Sequence, residues 1–476
     1  MNHSNNRSSV TRRKFVYTTA VATGALASGV SATSASPLPQ AKRYALSAQD
    51  QTLRIAINGT EIGKTDQAVA DAFQEAVPGA RVEFIPLQGK DWNEYFSKIL
   101  TMIAAGTIPD LTTVATEGTQ LFAGQGLGAP LDDYVKRDAA DLQEYFSDVH
   151  PSLVESMMFE GSLYELPRDF NAANMYLNTN VFKEHGIEYP ASDWTKDDFY
   201  GIAKKLTKDG GGPPFGYSWT NRLWGGWMPW IFVNGGNLLT EAKAPGGEWL
   251  WRTFYKADPA AQNRSGGWRW EAPQANAPAN IEALEFVVQL AREKITPSIE
   301  EGGGNTLQGF FTNGSVRMTP AGGFWAGGLH NAGLAADAFD VQLFPKWASQ
   351  RHQFGAGGLV ILNKSENKDL AWEFIKFSVT KPIMESFFAE NSTTPVRRSM
   401  MTAERYAPTG PQHWQVFYDT LDKHPDTAPI PAPPESNEMT SVFMKYTSLA
   451  LNFQQEPKEA LDNMQRDLEG LFKPKS

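Results

Sequence analysis

Residues 51–115 alternate between strand-like and helix-like patterns, and this alternation constrains the fold more than any other feature of the chain. Between the strand patterns, Val69 and Phe73 lie at helical spacing, and Asp91 with Glu94 three residues later is typical of a helix start. The strand patterns themselves occupy residues 53–57, 81–87 and 111–115. A strand–helix–strand–helix–strand order of this length predicts an open, mostly parallel, doubly wound sheet.

The same alternation returns further along the chain and predicts a second α/β body. Thr195 and Asp198 form a capping-box pattern at the start of one helix. Further strand patterns occupy residues 162–166, 173–177, 316–319, 341–344 and 359–362. Further helix patterns occupy residues 281–293, 370–379, 382–389 and 458–472. A chain of 476 residues is long enough for two such bodies, each with its own core.

The first 35 residues have the composition of an export signal. Arg12 and Arg13 begin a twin-arginine pattern, an Ala/Gly/Thr-rich apolar stretch follows over residues 15–30, and small residues near Ala32 and Ala35 offer cleavage points. The alternative is a disordered basic tail. Residues 36–50 are rich in Ser, Pro and Ala, and we expect a flexible lead-in. The mature protein is therefore expected to be exported, periplasmic or secreted, and soluble.

Charge and cysteine content exclude several classes of function. The chain contains 43 Lys and Arg against 53 Asp and Glu, and an acidic protein is a poor ligand for nucleic acid or anionic membranes. It contains no Cys, which excludes disulfides, thiol nucleophiles, Cys-based zinc sites and a lipid anchor on cysteine. The seven His form no pair at metal-ligand spacing. We therefore predict no metal site, no cofactor and no catalytic residues.

A series of short segments in one order carries a family resemblance. It comprises residues 96–100, 104–107, 109–110, 161–167, 175–178, 181–183, 234–236, 311–318, 323–325, 371–377 and 394–397. Together they resemble the family 1 extracellular solute-binding proteins of ABC importers, the group that includes maltose-binding protein. Each segment is weakly specific alone, but the series extends over most of the chain after the signal.

The resemblance implies a two-lobed periplasmic binding protein fold of type II with three hinge crossings, near residues 166–171, 353–358 and 393–397. Lobe one would comprise residues 51–167 plus 356–394, and lobe two residues 168–355 plus 395–476. Ligands of such folds lie in the crevice at the carboxyl ends of the strands. The resemblance also implies a monomer that delivers its ligand to ABC permease and ATPase subunits.

Aromatic residues in two Gly-rich segments are candidates for stacking against a sugar. Residues 219–227 combine Asn221, Trp224 and Trp227 with two glycines, which suits a ring with apolar faces and hydroxyls on its edge. Trp325, in Gly-Gly-Phe-Trp-Ala-Gly-Gly, matches the position of a stacking tryptophan in maltose-type members of the family. The alternative for each tryptophan is a place in the core of lobe two.

Polar candidates lie in loops that follow predicted strands or cross between lobes. Thr60 and Glu61 follow the first strand, and Thr116 and Glu117 follow the third; solvated loop residues are the alternative for these. Asp169 is expected at the first crossing, unless it only pairs with Arg168. Arg397 is expected near the third crossing, where Arg398 competes for the same role. All would provide hydrogen bonds to sugar hydroxyls.

The sequence therefore predicts the substrate-binding subunit of an ABC importer with a sugar or oligosaccharide as ligand. One alternative retains the receptor fold and replaces the sugar with glycerol phosphate, a polyamine or a metal chelate. Another is a secreted carbohydrate-active enzyme, because paired acids in an aromatic cleft also describe a glycosidase. The phosphate-loop-like residues 59–65 are rejected, because three residues instead of four separate the glycines.

Overall fold

The computed structural model describes residues 51–297 and 304–473. The predicted export signal and the predicted lead-in lie outside the described residues. The strands, in chain order, are β1 Gln51–Ile57, β2 Ala80–Pro86, β3 Leu111–Ala115, β4 Met158–Phe159, β5 Ser162–Leu163, β6 Asp169–Ala172, β7 Asn174–Asn178, β8 Phe215–Tyr217, β9 Leu239–Lys243, β10 Trp268–Pro273, β11 Val316–Ala321, β12 Phe339–Gln342, β13 Gln353–Ile361, β14 Thr394–Pro395 and β15 Ala428–Pro429.

Helices connect most of these strands and cover their faces. In chain order they are α1 Lys64–Ala76, α2 Trp92–Ala104, α3 Thr119–Gly124, α4 Asp132–Arg137, α5 Ala139–Ser147, α6 Pro151–Ser156, α7 Thr179–Glu184, α8 Lys196–Leu206, α9 Met228–Val233, α10 Glu248–Phe254, α11 Pro278–Arg292, α12 Gly304–Thr312, α13 Phe324–Asn331, α14 Lys368–Ser378, α15 Lys381–Phe387, α16 Ala403–Tyr406, α17 Val416–Asp422, α18 Ser436–Leu451 and α19 Pro457–Leu471. The predicted capping box is present at α8, where Thr195 and Asp198 bond reciprocally.

A seven-stranded sheet forms the centre of the first lobe. Its order is β14-β6-β13-β3-β1-β2, with β15 paired to the start of β13. Strands β1, β2 and β3 are mutually parallel, as the alternating pattern predicted, whereas β13 runs antiparallel to both β3 and β6. The sheet is therefore mixed instead of mostly parallel. Its central strand β13 joins it only after the chain has formed the second lobe, and β13 runs in the opposite direction to β3.

A four-stranded sheet forms the centre of the second lobe. Its order is β12-β7-β11-β8, in which β7 is antiparallel to both neighbours and β8 is parallel to β11. Aromatic packing fills the space behind it: the ring of Trp230 lies 4.9 Å from Phe199 and 4.6 Å from Phe344. Here too the mostly parallel arrangement predicted from the sequence is wrong, while the α/β class is confirmed.

The chain segments predicted as hinge crossings lie side by side. Strand β6 pairs with β13 on one side and with β14 on the other, all antiparallel. Strand β7 of the second sheet begins at Asn174, two residues after β6 ends at Ala172. The lobes are therefore connected through neighbouring strands of one sheet, which is the arrangement that a common hinge requires.

The two faces of β13 differ in character along residues 353–358. Gln353, Gly355 and Gly357 point to one face, which we call the front face. Phe354 points to the opposite rear face, where its ring lies 6.3 Å from Trp268. Side chains alternate between the faces of a strand, so one short segment contributes to two separate environments.

Candidate ligand-binding site

Two glycines of β13 allow side chains from both lobes to approach its front face. A Cβ atom at Gly355 would lie 2.7 Å from Nε1 of Trp224 and 3.3 Å from Oγ1 of Thr116. A Cβ atom at Gly357 would lie 2.6 Å from Oδ1 of Asp169. Any larger residue would displace these groups, so the glycines determine which side chains can meet here.

A wide turn at Leu223–Trp227 directs Trp224 toward β13. Gly225 has φ 68°, a left-handed conformation that favours glycine, and its N–H donates to Oε1 of Gln353 at 3.0 Å. Trp224 itself is half-buried and extended, with ψ 127°. The turn residues therefore anchor the segment to β13 and leave the indole partly accessible.

The ring of Trp224 is part of a small aromatic and cationic group. The ring of Phe324 lies 5.8 Å away at an interplanar angle of 47°, and the guanidinium of Arg222 lies 5.4 Å from the indole centroid. Among the described residues, Nε of Arg222 is buried without a hydrogen-bond partner. A guanidinium with an unused donor and an adjacent aromatic surface can bind both the edge and the face of a polar ring.

Two carboxylates complete the front-face cluster. Burial raises the pKa of Glu117, the nearby charge of Asp169 raises it further, and a hydrogen bond from Thr116 together with the charge of Arg222 lowers it. Burial also raises the pKa of Asp169, partly offset by a hydrogen bond from Thr393 at 2.9 Å and by the charge of Arg168. Both side chains are half-buried, and their carboxyl oxygens can accept hydrogen bonds from the hydroxyls of a ligand.

Asn171 connects the crossings beneath this cluster. Its amide nitrogen donates to Oγ1 of Thr393 at 3.0 Å, and its Oδ1 accepts from the backbone N–H of Phe324 at 3.2 Å. The first crossing, the third crossing and the start of α13 are thus joined at one amide. A displacement of one of these segments would therefore strain the hydrogen bonds that join it to the other two.

The structure brings four of the predicted site residues together and separates the others. Thr116, Glu117, Asp169 and Trp224 belong to the cluster. Thr60 and Glu61 are exposed in the loop after β1, at the same sheet edge as the loop after β3. Phe324, Arg222 and Asn171 belong to the cluster but were missed from the sequence.

Two predicted tryptophans lie in the interior of the second lobe. Trp227 is 1% exposed, packs edge-on against Trp219 at 4.5 Å, and donates from its indole to Asn221. Trp325 is 3% exposed and packs against Tyr176 at 5.6 Å and Phe311 at 5.9 Å. Both have the surroundings of core residues, because apolar side chains of their own lobe occupy the space that a ligand would need.

Asn221 and Arg397 are committed to structural contacts. The amide of Asn221 donates to Ser448 at 3.0 Å and accepts from Thr447 and Trp227, which attaches the turn to α18. Arg397 is 1% exposed and donates to Glu144 at 2.7 Å and to the carbonyl of Val379 at 2.8 Å. Both side chains have their hydrogen-bonding capacity largely filled within the protein, so we leave them out of the site proposed below.

Within residues 51–297 and 304–473, the acidic and histidine side chains form no group of three or more that could hold a metal ion. In the same ranges no helix combines the length and apolarity needed to cross a lipid bilayer.

Two α/β lobes with a polar and aromatic cluster at the strands between them are an arrangement found in solute receptors. The match to a known family agrees with this class. Residues 56–385 match the family described as bacterial extracellular solute-binding protein, and the chain belongs to this family.

Three relatives of known name or structure are each less than 25% identical to this chain. A Brucella abortus protein designated as a binding protein is 23% identical over 362 residues, which is 74% of this chain and 78% of the relative. A maltotriose-binding protein of Pyrococcus abyssi is 22% identical over 319 residues, 66% of this chain and 59% of the relative. The ABC substrate-binding protein of Listeria monocytogenes solved with cycloalternan has a TM-score of 0.73 and 21% identity, covering 90% of this chain and 100% of that one. This likeness confirms the two-lobed fold.

Proposed function

We propose that this chain is the substrate-binding subunit of an ABC importer and captures a sugar or oligosaccharide at the front face of β13. The observation that carries the proposal is the cluster itself. It places the partly accessible ring of Trp224 beside Phe324, with the carboxylates of Glu117 and Asp169 on the same face. Aromatic faces stack on the C–H surfaces of a sugar, while carboxylates and amides accept from its hydroxyls.

Two relatives favour a carbohydrate among the solutes that this family binds. One is named for maltotriose, and one solved neighbour holds cycloalternan. In the proposed arrangement Thr116, Glu117, Asp169, Trp224 and Phe324 contact the ligand. Thr60 and Glu61 are proposed as rim contacts, because the carboxyl ends of adjacent parallel strands lie at one sheet edge.

Transport requires further steps that we also assign by family. A monomer is proposed to be exported through the twin-arginine signal, to bind the sugar outside the cytoplasm, and to release it to permease and ATPase subunits. Closure of the two lobes around the ligand would be driven by the better affinity of the closed state. Binding without chemical change of the ligand is part of the proposal.

A second candidate ligand is an anionic solute such as glycerol phosphate. The observation that favours it is the buried, unpartnered Nε of Arg222 in the same cluster. Against it, Glu117 and Asp169 would repel a phosphate whenever they are ionised. The neutral sugar accordingly remains the primary proposal.

The test is a thermal-shift and calorimetric screen with maltotriose, a galactooligosaccharide and glycerol 3-phosphate. A ligand at 100 times its Kd stabilises the folded protein by about 2.7 kcal/mol, which is readily detected. We expect a shift with at least one saccharide and unchanged saccharide after prolonged incubation. A thermal shift with glycerol 3-phosphate alone would mean that the ligand is an anion and not a sugar. Release of shorter saccharides would mean that the protein is an enzyme and not a receptor.

A further inference from the structure

Trp92 is a half-buried tryptophan of the first lobe that lies at the same sheet edge as the front-face cluster. Strands β1, β2 and β3 are parallel, so their carboxyl ends meet at one edge, where Glu61, Trp92 and Glu117 follow β1, β2 and β3 in turn. The backbone N–H of Gly89 donates to Oδ1 of Asn58 at 3.3 Å, which joins the loop before α2 to the loop after β1. The start of α2 therefore belongs to the edge at which open α/β sheets bind their ligands.

Buried aromatic residues fix the orientation of the Trp92 side chain. Asp91 caps α2 by accepting from the backbone N–H of Glu94 at 2.9 Å, which sets Trp92 as the first residue of the helix. The indole stacks on the ring of Phe96, with centroids 5.6 Å apart and an interplanar angle of 26°, and it meets Tyr95 edge-on at 5.8 Å. Phe96 and Tyr95 are fully buried. One face of the indole is therefore covered by the first lobe, and its accessible surface lies on the other face and on the edge.

Phe96 connects this tryptophan to the front-face cluster. A Cβ atom at Gly118 would lie 2.4 Å from Cζ of Phe96, so the ring fits directly against the backbone of the residue that follows Glu117. The second lobe approaches the same place. Burial lowers the pKa of Arg222, and the charges of Glu117 and Asp91 partly offset this effect. Arg222 of the second lobe is thus close both to the loop after β3 and to the start of α2.

Trp92 differs from the tryptophans of the core in its accessibility. Trp227 and Trp325 are 1% and 3% exposed and are surrounded by apolar side chains of their own lobe. Trp92 and Trp224 are both half-buried, and each packs beside one aromatic neighbour while part of the indole remains accessible. An accessible indole face can stack on the C–H surface of a sugar, and the indole N–H can donate to a hydroxyl. The two lobes therefore each present one such ring at the front.

We propose that Trp92 is a second stacking residue of the site and that the solute is an oligosaccharide extending from Trp224 to Trp92. This inference rests on the proposed function. Trp224 lies against β13, whereas Trp92 follows β2, and β3 and β1 lie between these strands. The sheet order thus separates β13 and β2 by three strand spacings of about 4.8 Å each. This separation exceeds the width of one sugar ring, so the two tryptophans are placed at different rings of a chain.

The test measures affinity for saccharides of different length by isothermal titration, with maltotriose, a galactooligosaccharide, glucose and galactose as probes. In the unmutated protein, at least one oligosaccharide should bind more tightly than its monosaccharide. Trp92→Ala should weaken binding of that oligosaccharide about 5- to 150-fold, by analogy with the stacking of a nucleic-acid base on an aromatic side chain, and leave the affinity for the monosaccharide unchanged. Trp92→Phe retains an aromatic ring on Phe96 and should give a smaller loss, which keeps the test valid if Trp92→Ala does not fold.

Trp414→Ala is the matched control. Trp414 is also half-buried and also stacks on a buried ring, that of Tyr406, with centroids 5.7 Å apart. It lies away from the cluster: in the segment before it, a Cβ atom at Gly410 would lie 2.4 Å from the carbonyl oxygen of Ala336, which follows the end of α13 opposite to Phe324. Trp414→Ala should bind the oligosaccharide as tightly as the unmutated protein.

The outcomes separate this inference from the proposed function. Failure of all four saccharides to bind the unmutated protein would overturn the proposed function and this inference with it. Unchanged oligosaccharide affinity in folded Trp92→Ala and Trp92→Phe would overturn the inference and leave the proposed function intact. Equal affinity of the unmutated protein for an oligosaccharide and its monosaccharide, or an equal loss of both in Trp92→Ala, would place both tryptophans at one ring and overturn the assignment of an oligosaccharide.

Discussion

The charged groups on the two sides of β13 differ in how completely their charges and hydrogen bonds are satisfied within the protein. At the rear, the carboxylate of Glu155 accepts from two cations and a backbone N–H, so its charge is fully compensated. At the front, burial raises the pKa of Glu117, and Nε of Arg222 remains without a hydrogen-bond partner among the described residues. Completed networks hold a structure together, whereas incomplete ones retain capacity for a ligand.

The largest effect on stability is expected at Trp325, which the sequence predicted as a ligand contact but which lies in the core of the second lobe. Trp325→Ala should lower the free energy of unfolding by about 3–5 kcal/mol, because it empties a packed space beside Tyr176 and Phe311. Urea denaturation followed by circular dichroism measures it. Phe324→Ala, one residue away and half-buried, should cost clearly less. Equal losses of unfolding free energy in the two variants would mean that Phe324 is as much a core residue as Trp325.

At the rear, Glu155→Ala should lower the free energy of unfolding by about 3 kcal/mol, since Lys243 and Arg264 lose their common partner in a buried setting. Chemical denaturation again provides the measurement. Glu160→Ala is the control. Glu160 also connects the β4–β5 hairpin to β10, through an ion pair with Arg269, but this pair is exposed and should contribute little. Similar values for the two variants would mean that the Glu155 network is no stronger than a surface pair.

At the front, Trp224→Ala should weaken sugar binding about 5- to 150-fold, by analogy with the about 1–3 kcal/mol that stacking of a nucleic-acid base on an aromatic side chain contributes. The free energy of unfolding should change little, because the indole is half-buried. Isothermal titration with the saccharide that gives the thermal shift measures the affinity. Trp347→Ala, a half-buried tryptophan packed against Phe286, is the control and should bind normally. Unchanged affinity in Trp224→Ala would exclude the ring from the site.

Glu165 provides the intermediate case, and its effect is the smallest when it is expressed per pH unit. It is fully buried, accepts from Thr119 at 2.8 Å, and its Oε2 is without a partner among the described residues; burial raises its pKa to about 8. Because the pKa of Glu165 is raised in the folded protein, the stability linked to its protonation is fully present at low pH and is lost as the pH rises toward 8. Relative to Glu165→Gln, the unmutated protein should lose up to about 1.4 kcal/mol per pH unit between about pH 5 and 8. Denaturation curves of both proteins across this pH range measure the difference. If the free energy of unfolding depended on pH in the same way in both, the prediction would be wrong.

Local patterns predicted the elements that depend on local physics. Strand β3 has the bounds expected from its apolar run, and the capping box of α8 forms as Thr195 and Asp198 indicated. The two-lobed fold followed from motifs in family order. The mixed direction of the sheets was missed, because the direction of β13 is decided by where the chain returns and not by its own residues.

The site was predicted only in part, for similar reasons. Thr116, Glu117 and Asp169 follow strands or lie at a crossing, so their neighbourhood could be inferred. Phe324 and Trp325 are consecutive at a helix start, and the sequence does not indicate which faces the core. The packing of residues 239–273 on Glu155 was not foreseen, because these Gly- and Trp-rich residues have no clear periodicity and their contacts with Glu155 join residues 88–110 positions apart.

The placement of Gly355 and Gly357 on the front face of β13 and of Phe354 on its rear face has a consequence for how the protein can change over time. One added or deleted residue in β13 would exchange its faces, placing Phe354 against Trp224 and a glycine against Trp268. Point substitutions at the cluster can therefore alter which solute is recognised, but the length of this strand is not free to vary. The exposed loop that contains Thr60 and Glu61, by contrast, can lengthen or shorten without shifting that alignment, so diversification by insertion is open at the rim of the proposed site and closed at β13.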